Sequence, residues 1–181
     1  MIIWIGIILG AVLLDQGSKW LVVTFLDRNE PFVLWEGVFR FSYVENRGAA
    51  FGMLSNARWV FLIISTVAIV ALLIYLWKWP PESKWACAAI AMIAGGGLGN
   101  MIDRIFRVGA DGQGYVVDFI DFYLLPDLWK WVFNVADCFV CVGAGILVIW
   151  CIVSLVAECR PKKKPTATED KTAQTKTNPP Q

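Results

Sequence analysis

Three stretches of this chain carry no charged residue at all. They are 19 residues between Arg58 and Lys78, 18 between Lys84 and Asp103, and 20 between Asp137 and Glu158. A helix rises about 1.5 Å per residue, so each stretch is long enough to cross a hydrocarbon layer of roughly 30 Å. Hydrophobic residues make up 57% of the chain and charged residues 17%, richer in the first and poorer in the second than soluble domains. The expectation is an integral membrane protein of one-domain size. Residues 1–14 are also nearly all apolar, but no Lys or Arg precedes Lys19 and no small-x-small cleavage site follows. Residues 1–26 therefore read as a retained first helix rather than a signal peptide.

The fold class expected is an all-α polytopic membrane protein. Four transmembrane helices, about 4–26, 59–79, 85–106 and 136–157, form one membrane-embedded domain over 1–157, with a small extracytoplasmic β-sheet and loop after helix 1. Residues 158–181 hold six basic and three acidic residues and almost nothing to bury. They read as a disordered basic cytoplasmic tail. Lys78 and Lys84 flank Pro80-Pro81, and Arg160, Lys162, Lys163 and Lys164 follow helix 4. This Lys/Arg bias puts both termini in the cytoplasm. Segments 27–58 and 107–135 then face outward.

Residues 38–44, Val-Phe-Arg-Phe-Ser-Tyr-Val, alternate with period two: Phe39, Phe41 and Tyr43 on one face, Arg40 and Ser42 on the other. That is a half-buried strand. Phe32-Val33-Leu34, ahead of Glu36-Gly37, is its expected partner.

Composition narrows the chemistry. The chain has no histidine, which removes Ser-His-Asp and Cys-His catalysis and the usual zinc sites. A formal charge of +1 argues against a nucleic-acid partner. The five cysteines lie in or beside the apolar runs. Although Cys138-x-x-Cys141 has the spacing of a redox or metal motif, no second ligand pair exists, and all five read as small buried hydrophobes.

Charged groups inside the bilayer cost several kcal/mol and so mark function. Asp15 and Lys19 stand at i, i+4 in the favourable order for an ion pair. Asn46 leads into a small-residue stretch, Gly48-Ala49-Ala50. Gly95 and Gly99 give one face of helix 3 room for close helix packing, which suits a substrate helix lying among the four. Asn100 and Arg104 share a face near its outer end. Asp118 interrupts the apolar run Val116–Phe119, and Asn134 and Asp137 open helix 4, where either suits an N-cap. Together, Asp118 and Asp137 at one depth in a low dielectric cannot both ionise cheaply. One ionised and one protonated carboxyl can activate water and polarise a carbonyl without histidine or metal.

These blocks resemble, in order, those of the bacterial lipoprotein signal peptidase (signal peptidase II) family. They are Asp15-Gln16-x-x-Lys19, Asn46-x-Gly48-Ala49-Ala50-Phe51, Gly96-x-x-Gly99-Asn100-x-x-Asp103-Arg104, Val116-Val117-Asp118-Phe119 and Phe133-Asn134-x-Ala136-Asp137. The resemblance implies an intramembrane aspartic endopeptidase with Asp118 and Asp137 as the catalytic pair. It matches Asp15, Lys19, Asn46, Gly48, Asn100, Arg104 and Asn134 to substrate-binding or supporting positions. It implies no metal and no cofactor. The substrates implied are diacylglyceryl-modified prolipoproteins, cut just before the modified cysteine. The setting implied is the bacterial inner membrane, with the site near the outer face, membrane lipid as surroundings and a monomer as the working unit. Residues 107–114 form a longer link than usual, Cys138 stands where serine often follows the aspartate, and the tail is an addition.

Three other classes compete. A proton-coupled transporter also uses intramembrane Asp and Lys, but it tends to show repeated halves, which this chain lacks. A Ser-Lys protease needs an uncharged lysine, whereas Asp15 favours a charged Lys19. A membrane scaffold has no need of Asn and Asp gathered at three separated positions.

Overall fold

The computed structural model describes residues 1–47, 58–110, 112–124 and 131–159. Among the described residues there are four helices: α1 (Ile2–Phe25), α2 (Arg58–Lys78), α3 (Lys84–Phe106) and α4 (Val135–Glu158). Their ends fall within two residues of the sequence expectation. Ser83 caps α3, its hydroxyl accepting from Ala86 N at 3.4 Å, just after the Pro80-Pro81 break where no helix can continue. Three helical stretches, Ile2–Phe25, Lys84–Phe106 and Val135–Cys159, are long and apolar enough to cross a membrane. The chain divides into two compact units, Met1–Trp150 and Cys151–Gln181. Every site residue discussed below lies in the first.

The first unit is inverted relative to a soluble domain. Its outer helix faces are apolar: Ile2, Leu13, Leu14, Phe25, Ile63, Ile64 and Val67 are all exposed. Its fully buried side chains include Asp15, Lys19, Asp103, Asp118 and Asn134. α3 is the most deeply buried helix because its inner faces are Ala and Gly. A Cβ on Gly95 would stand 2.8 Å from Ala11 Cβ of α1. One on Gly143 would stand 2.7 Å from the Ala89 carbonyl oxygen. The backbones thus touch, as small-xxx-small packing allows.

Between the helices lies a four-stranded antiparallel sheet in the order β1-β2-β3-β4, formed by Phe32–Trp35, Phe39–Asn46, Val116–Phe122 and Val132–Phe133. The β1-β2 hairpin turns at Gly37, whose φ of +74° suits glycine. The sheet is larger than the sequence suggested. The expected hairpin is its first half, and Val116–Phe122, read as an apolar run broken by a carboxylate, is a full strand. Either side of residue 111, Val108 bridges Gly114, and Gly109 N donates to Gln113 O at 2.8 Å. The chain thereby returns to β3 directly after α3.

The cysteine expectation needs correction. Cys87 is buried, but Cys138, Cys141, Cys151 and Cys159 are exposed and free. They lie on an exposed apolar stretch rather than in a protein core. The residues of the expected tail from Arg160 onward, and Gly48 with Ala49, Ala50 and Phe51, lie outside the described residues.

Candidate active site

Strand register and a helix cap bring the polar residues together. Asn46 of β2 lies opposite Val116 and Val44 opposite Asp118, so Asn46 is the diagonal neighbour of Asp118 on one sheet face. Its Nδ2 donates to Asp118 Oδ2 at 2.7 Å. On the other side Phe133 of β4 pairs with Ile120, which delivers the next residue, Asn134, beside Asp118. Asn134 Nδ2 donates to Asp118 Oδ1 at 2.6 Å.

Asn134 is also the N-cap of α4. Its Oδ1 accepts from Asp137 N at 3.0 Å, and Asp137 Oδ2 accepts from Asn134 N at 3.1 Å. This reciprocal pair is a capping box. The helix start that sequence suggested and the meeting of two carboxylates are therefore one structure: Asn134 bonds both Asp118 and Asp137. Asp15 of α1 adds a second cap, its Oδ1 accepting from Ala136 N at 3.0 Å.

Lys19 orients the other side. It is fully buried and lies 2.9 Å from Asp15 Oδ2 and 3.1 Å from Asp103 Oδ2. Its Nζ also donates to Asn100 Oδ1 at 3.0 Å. An ammonium can only donate, so it holds the Asn100 oxygen toward itself and turns Asn100 Nδ2 toward Asp137 Oδ1, 2.7 Å away. Asn100 Oδ1 accepts from Asn134 Nδ2 as well, at 3.0 Å. The same logic fixes Asn134, whose oxygen must face the Asp137 N–H. Arg104 donates to the Asn100 carbonyl at 3.4 Å, and its charge acts on Asp103, Asp118 and Asp137.

Asp118 belongs to β3, outside the membrane-crossing helices. Burial pushes its carboxyl up to about 7, the Asn46 amide pulls it down, and the nearby Asp137 charge pushes it up again. The arrangement can therefore keep one carboxyl protonated at neutral pH beside another. Among the described residues no group of three or more His, Cys, Asp or Glu has the geometry to hold a metal.

A family model described as signal peptidase (SPase) II matches residues 7–153. The chain belongs to the signal peptidase II family. A lipoprotein signal peptidase of Caldanaerobacter subterraneus subsp. tengcongensis is 45% identical over 143 residues, 79% of this chain and 91% of that relative. One of Halalkalibacterium halodurans is 40% identical over 136 residues, covering 75% and 83%. A solved bacterial membrane enzyme, determined by the in meso method at 2.3 Å, superposes with a TM-score of 0.76 at 28% identity. That match covers 91% of this chain and 96% of the other. The sequence expectation of this family is thus met.

Of the nine expected site residues, Asp15, Lys19, Asn46, Asn100, Asn134, Asp118 and Asp137 fall in one hydrogen-bonded network, and Arg104 borders it. Gly48 lies outside the described residues. Two further members, Gln16 and Asp103, stood in the quoted blocks without being named among the site residues. Gln16 Nε2 donates to Gly99 O and to Asp103 Oδ1, both at 3.1 Å, and Asp103 gathers four donors. Asp103 carried a signal: it ends the 18-residue uncharged stretch of α3, next to Arg104.

The glycine expectation is corrected. Gly95 and Gly99 do not leave a face open for a substrate helix, because α1 already occupies it. A Cβ on Gly99 would lie 2.5 Å from Asp15 Oδ2 and 3.0 Å from its Cγ. Gly99→Ala must therefore push Asp15 off Ala136 N, with an expected loss of about 1–3 kcal/mol and reduced turnover. A Cβ on Gly97 meets only the Ile69 chain end, at 3.1 Å, so Gly97→Ala should be milder. Thermal unfolding of the two variants in detergent, with Gly97→Ala the worse, would contradict this packing.

Proposed function

We propose that this protein is an aspartic endopeptidase of the bacterial inner membrane, with Asp118 and Asp137 as its catalytic pair. It removes signal peptides from prolipoproteins by cutting before the diacylglyceryl-modified cysteine. The observation that carries this is the single Asn134 side chain and backbone bonded to both carboxylates in a chain of the signal peptidase II family.

In this mechanism the pair holds one proton. The ionised carboxylate takes a proton from water as the water oxygen attacks the scissile carbonyl carbon. The protonated carboxyl gives its proton to the carbonyl oxygen. On collapse of the tetrahedral intermediate, the carboxyl that took the water proton gives it to the departing amide nitrogen as the C–N bond breaks, and a hydroxyl of the intermediate returns its proton to the other carboxylate, so the pair again holds one. Asn46, Asn100 and Asn134 hold the carboxylates by amide groups that do not titrate, so the proton stays within the pair. The reading invokes no metal and no cofactor.

Purified protein should cleave a lipidated precursor far faster than the same precursor with the cysteine changed to serine and left unlipidated. Equal rates on both would remove the proposed substrate class.

The pH dependence has a defined sign. Because Asp118 is pushed up to about 7, its proton persists through the acid range and is lost as pH rises through that value. Turnover should therefore fall on the alkaline side with an apparent midpoint near 7, a property of the pair. It should fall again in acid when both carboxyls are protonated. A kcat–pH profile that stays level well above neutrality would contradict a shared proton.

The orientation follows from the Lys/Arg bias. Both termini face the cytoplasm, and the site lies near the outer face. All four helices cross the bilayer, α2 included, since its 21 residues extend about 30 Å. The protein works as a monomer in lipid. Single cysteines at Asn29 and at Glu82, in a chain cleared of native cysteines, should label oppositely with an impermeant thiol reagent in intact cells. Equal labelling would overturn this topology.

A further inference from the structure

Asp103 has no part in that chemistry, yet it is buried with four donors around it. Its Oδ2 forms an ion pair with Lys19 Nζ and accepts from the backbone N–H of Val117, each at 3.1 Å. Its Oδ1 accepts from Gln16 Nε2 at 3.1 Å and Arg107 Nε at 3.0 Å. These donors come from α1, from β3 and from the residue that caps the end of α3. Val117 immediately precedes Asp118. On one side it pairs with Glu45 of β2, and on the other β4 pairs only with Ile120 and Asp121. The Asp103 carboxylate thus takes the place of a neighbouring strand at Val117.

Resting on the assignment of Asp118 and Asp137 as the reacting pair, we propose that Asp103 is a positioning residue for both. Two short paths leave its Oδ2. One runs through the Val117 N–H to the backbone that carries Asp118. The other runs through Lys19 Nζ to Asn100 Oδ1, and from Asn100 Nδ2 to Asp137. A single carboxylate oxygen therefore sets the separation of the two reacting groups. An amide cannot replace it. Asparagine offers one oxygen acceptor, and its NH2 group would face two of the four donors.

The test measures kcat and KM on a lipidated precursor, per folded molecule after size exclusion, for wild type, Asp103→Asn, Val117→Pro, Arg107→Gln and Asp118→Asn. Val117→Pro removes the N–H and sets a ring carbon against Oδ2, so it breaks the backbone path while the Asp103 and Lys19 charges both remain, and the lost donor is not one that β4 receives. Asp103→Asn and Val117→Pro should each lower kcat about 10- to 100-fold with KM near wild type. Arg107→Gln spares both Oδ2 bonds and should keep kcat close to wild type. Wild-type kcat in folded Asp103→Asn or Val117→Pro, or a loss confined to KM, would overturn the proposal. If Asp118→Asn also kept its turnover, the catalytic pair itself would fail. If Asp118→Asn collapsed while Asp103→Asn did not, only the positioning role would fall.

Discussion

Asp118→Asn and Asp137→Asn should each abolish most of the turnover, and the double variant should be scarcely slower than either single. Asparagine keeps the shape and one acceptor oxygen, but its NH2 group faces a neighbouring donor, and it cannot take a proton from water or give one to a carbonyl oxygen. Removing either member leaves the other without a partner for proton exchange, and groups that act as one unit lose rate non-additively. A drop of several orders of magnitude is expected for each single variant, on the order of 10⁴-fold. The lipid and signal portions of the substrate make no demand on these carboxylates, so binding should survive. Steady-state kinetics and direct binding of a lipidated precursor separate the two effects. Losses in the two singles that multiply in the double would mean that the carboxylates act independently. Either single variant at near wild-type turnover would remove the mechanism.

Lys19→Met should be the most damaging substitution for stability. The ammonium lies between two buried carboxylates, 2.9 Å from Asp15 and 3.1 Å from Asp103. Methionine fills much of the space but leaves Asp15 without its ion-pair partner and Asp103 with Arg107 alone in a low dielectric. Breaking a buried pair in this way costs about 3–5 kcal/mol. The Asn100 amide also loses the donor that fixes its orientation toward Asp137. Low yield and an earlier thermal transition in detergent are expected, with catalysis impaired in whatever folds. A Lys19→Met protein as stable as wild type would show that the ion cluster contributes little to folding. A stable variant with unchanged substrate affinity and collapsed turnover would instead bring Lys19 into the chemistry.

Much of this was legible because membranes make polarity informative. The helix ends were readable from where charge begins and stops, and Asp15 with Lys19 from helical spacing alone. The β1-β2 hairpin followed from the alternation around Phe39 and Tyr43. Asp103 was harder, since its partners come from α1, β3 and Arg107, and only tertiary packing shows that Lys19 faces a second acid. β3 was obscured because Val-Val-Asp-Phe-Ile-Asp-Phe is apolar enough to pass for a membrane boundary. Its second strand partner, β4, is only two residues long. The face of Gly95 and Gly99 announced close packing but not with what; α1 fills it. At Asn134 the sequence suggested an N-cap, and the capping box that meets this expectation also sets Asn134 against both carboxylates.

The most direct measurement is to incubate the purified wild-type chain with a diacylglyceryl-modified precursor in the presence of a chelator and to map the products by mass spectrometry. One cut is expected, giving a free signal peptide and a mature protein whose first residue is the lipidated cysteine. That product should be absent when Asp118→Asn or Asp137→Asn replaces wild type. A cut at another bond, a need for added metal, or the same product from either variant would contradict the proposed function.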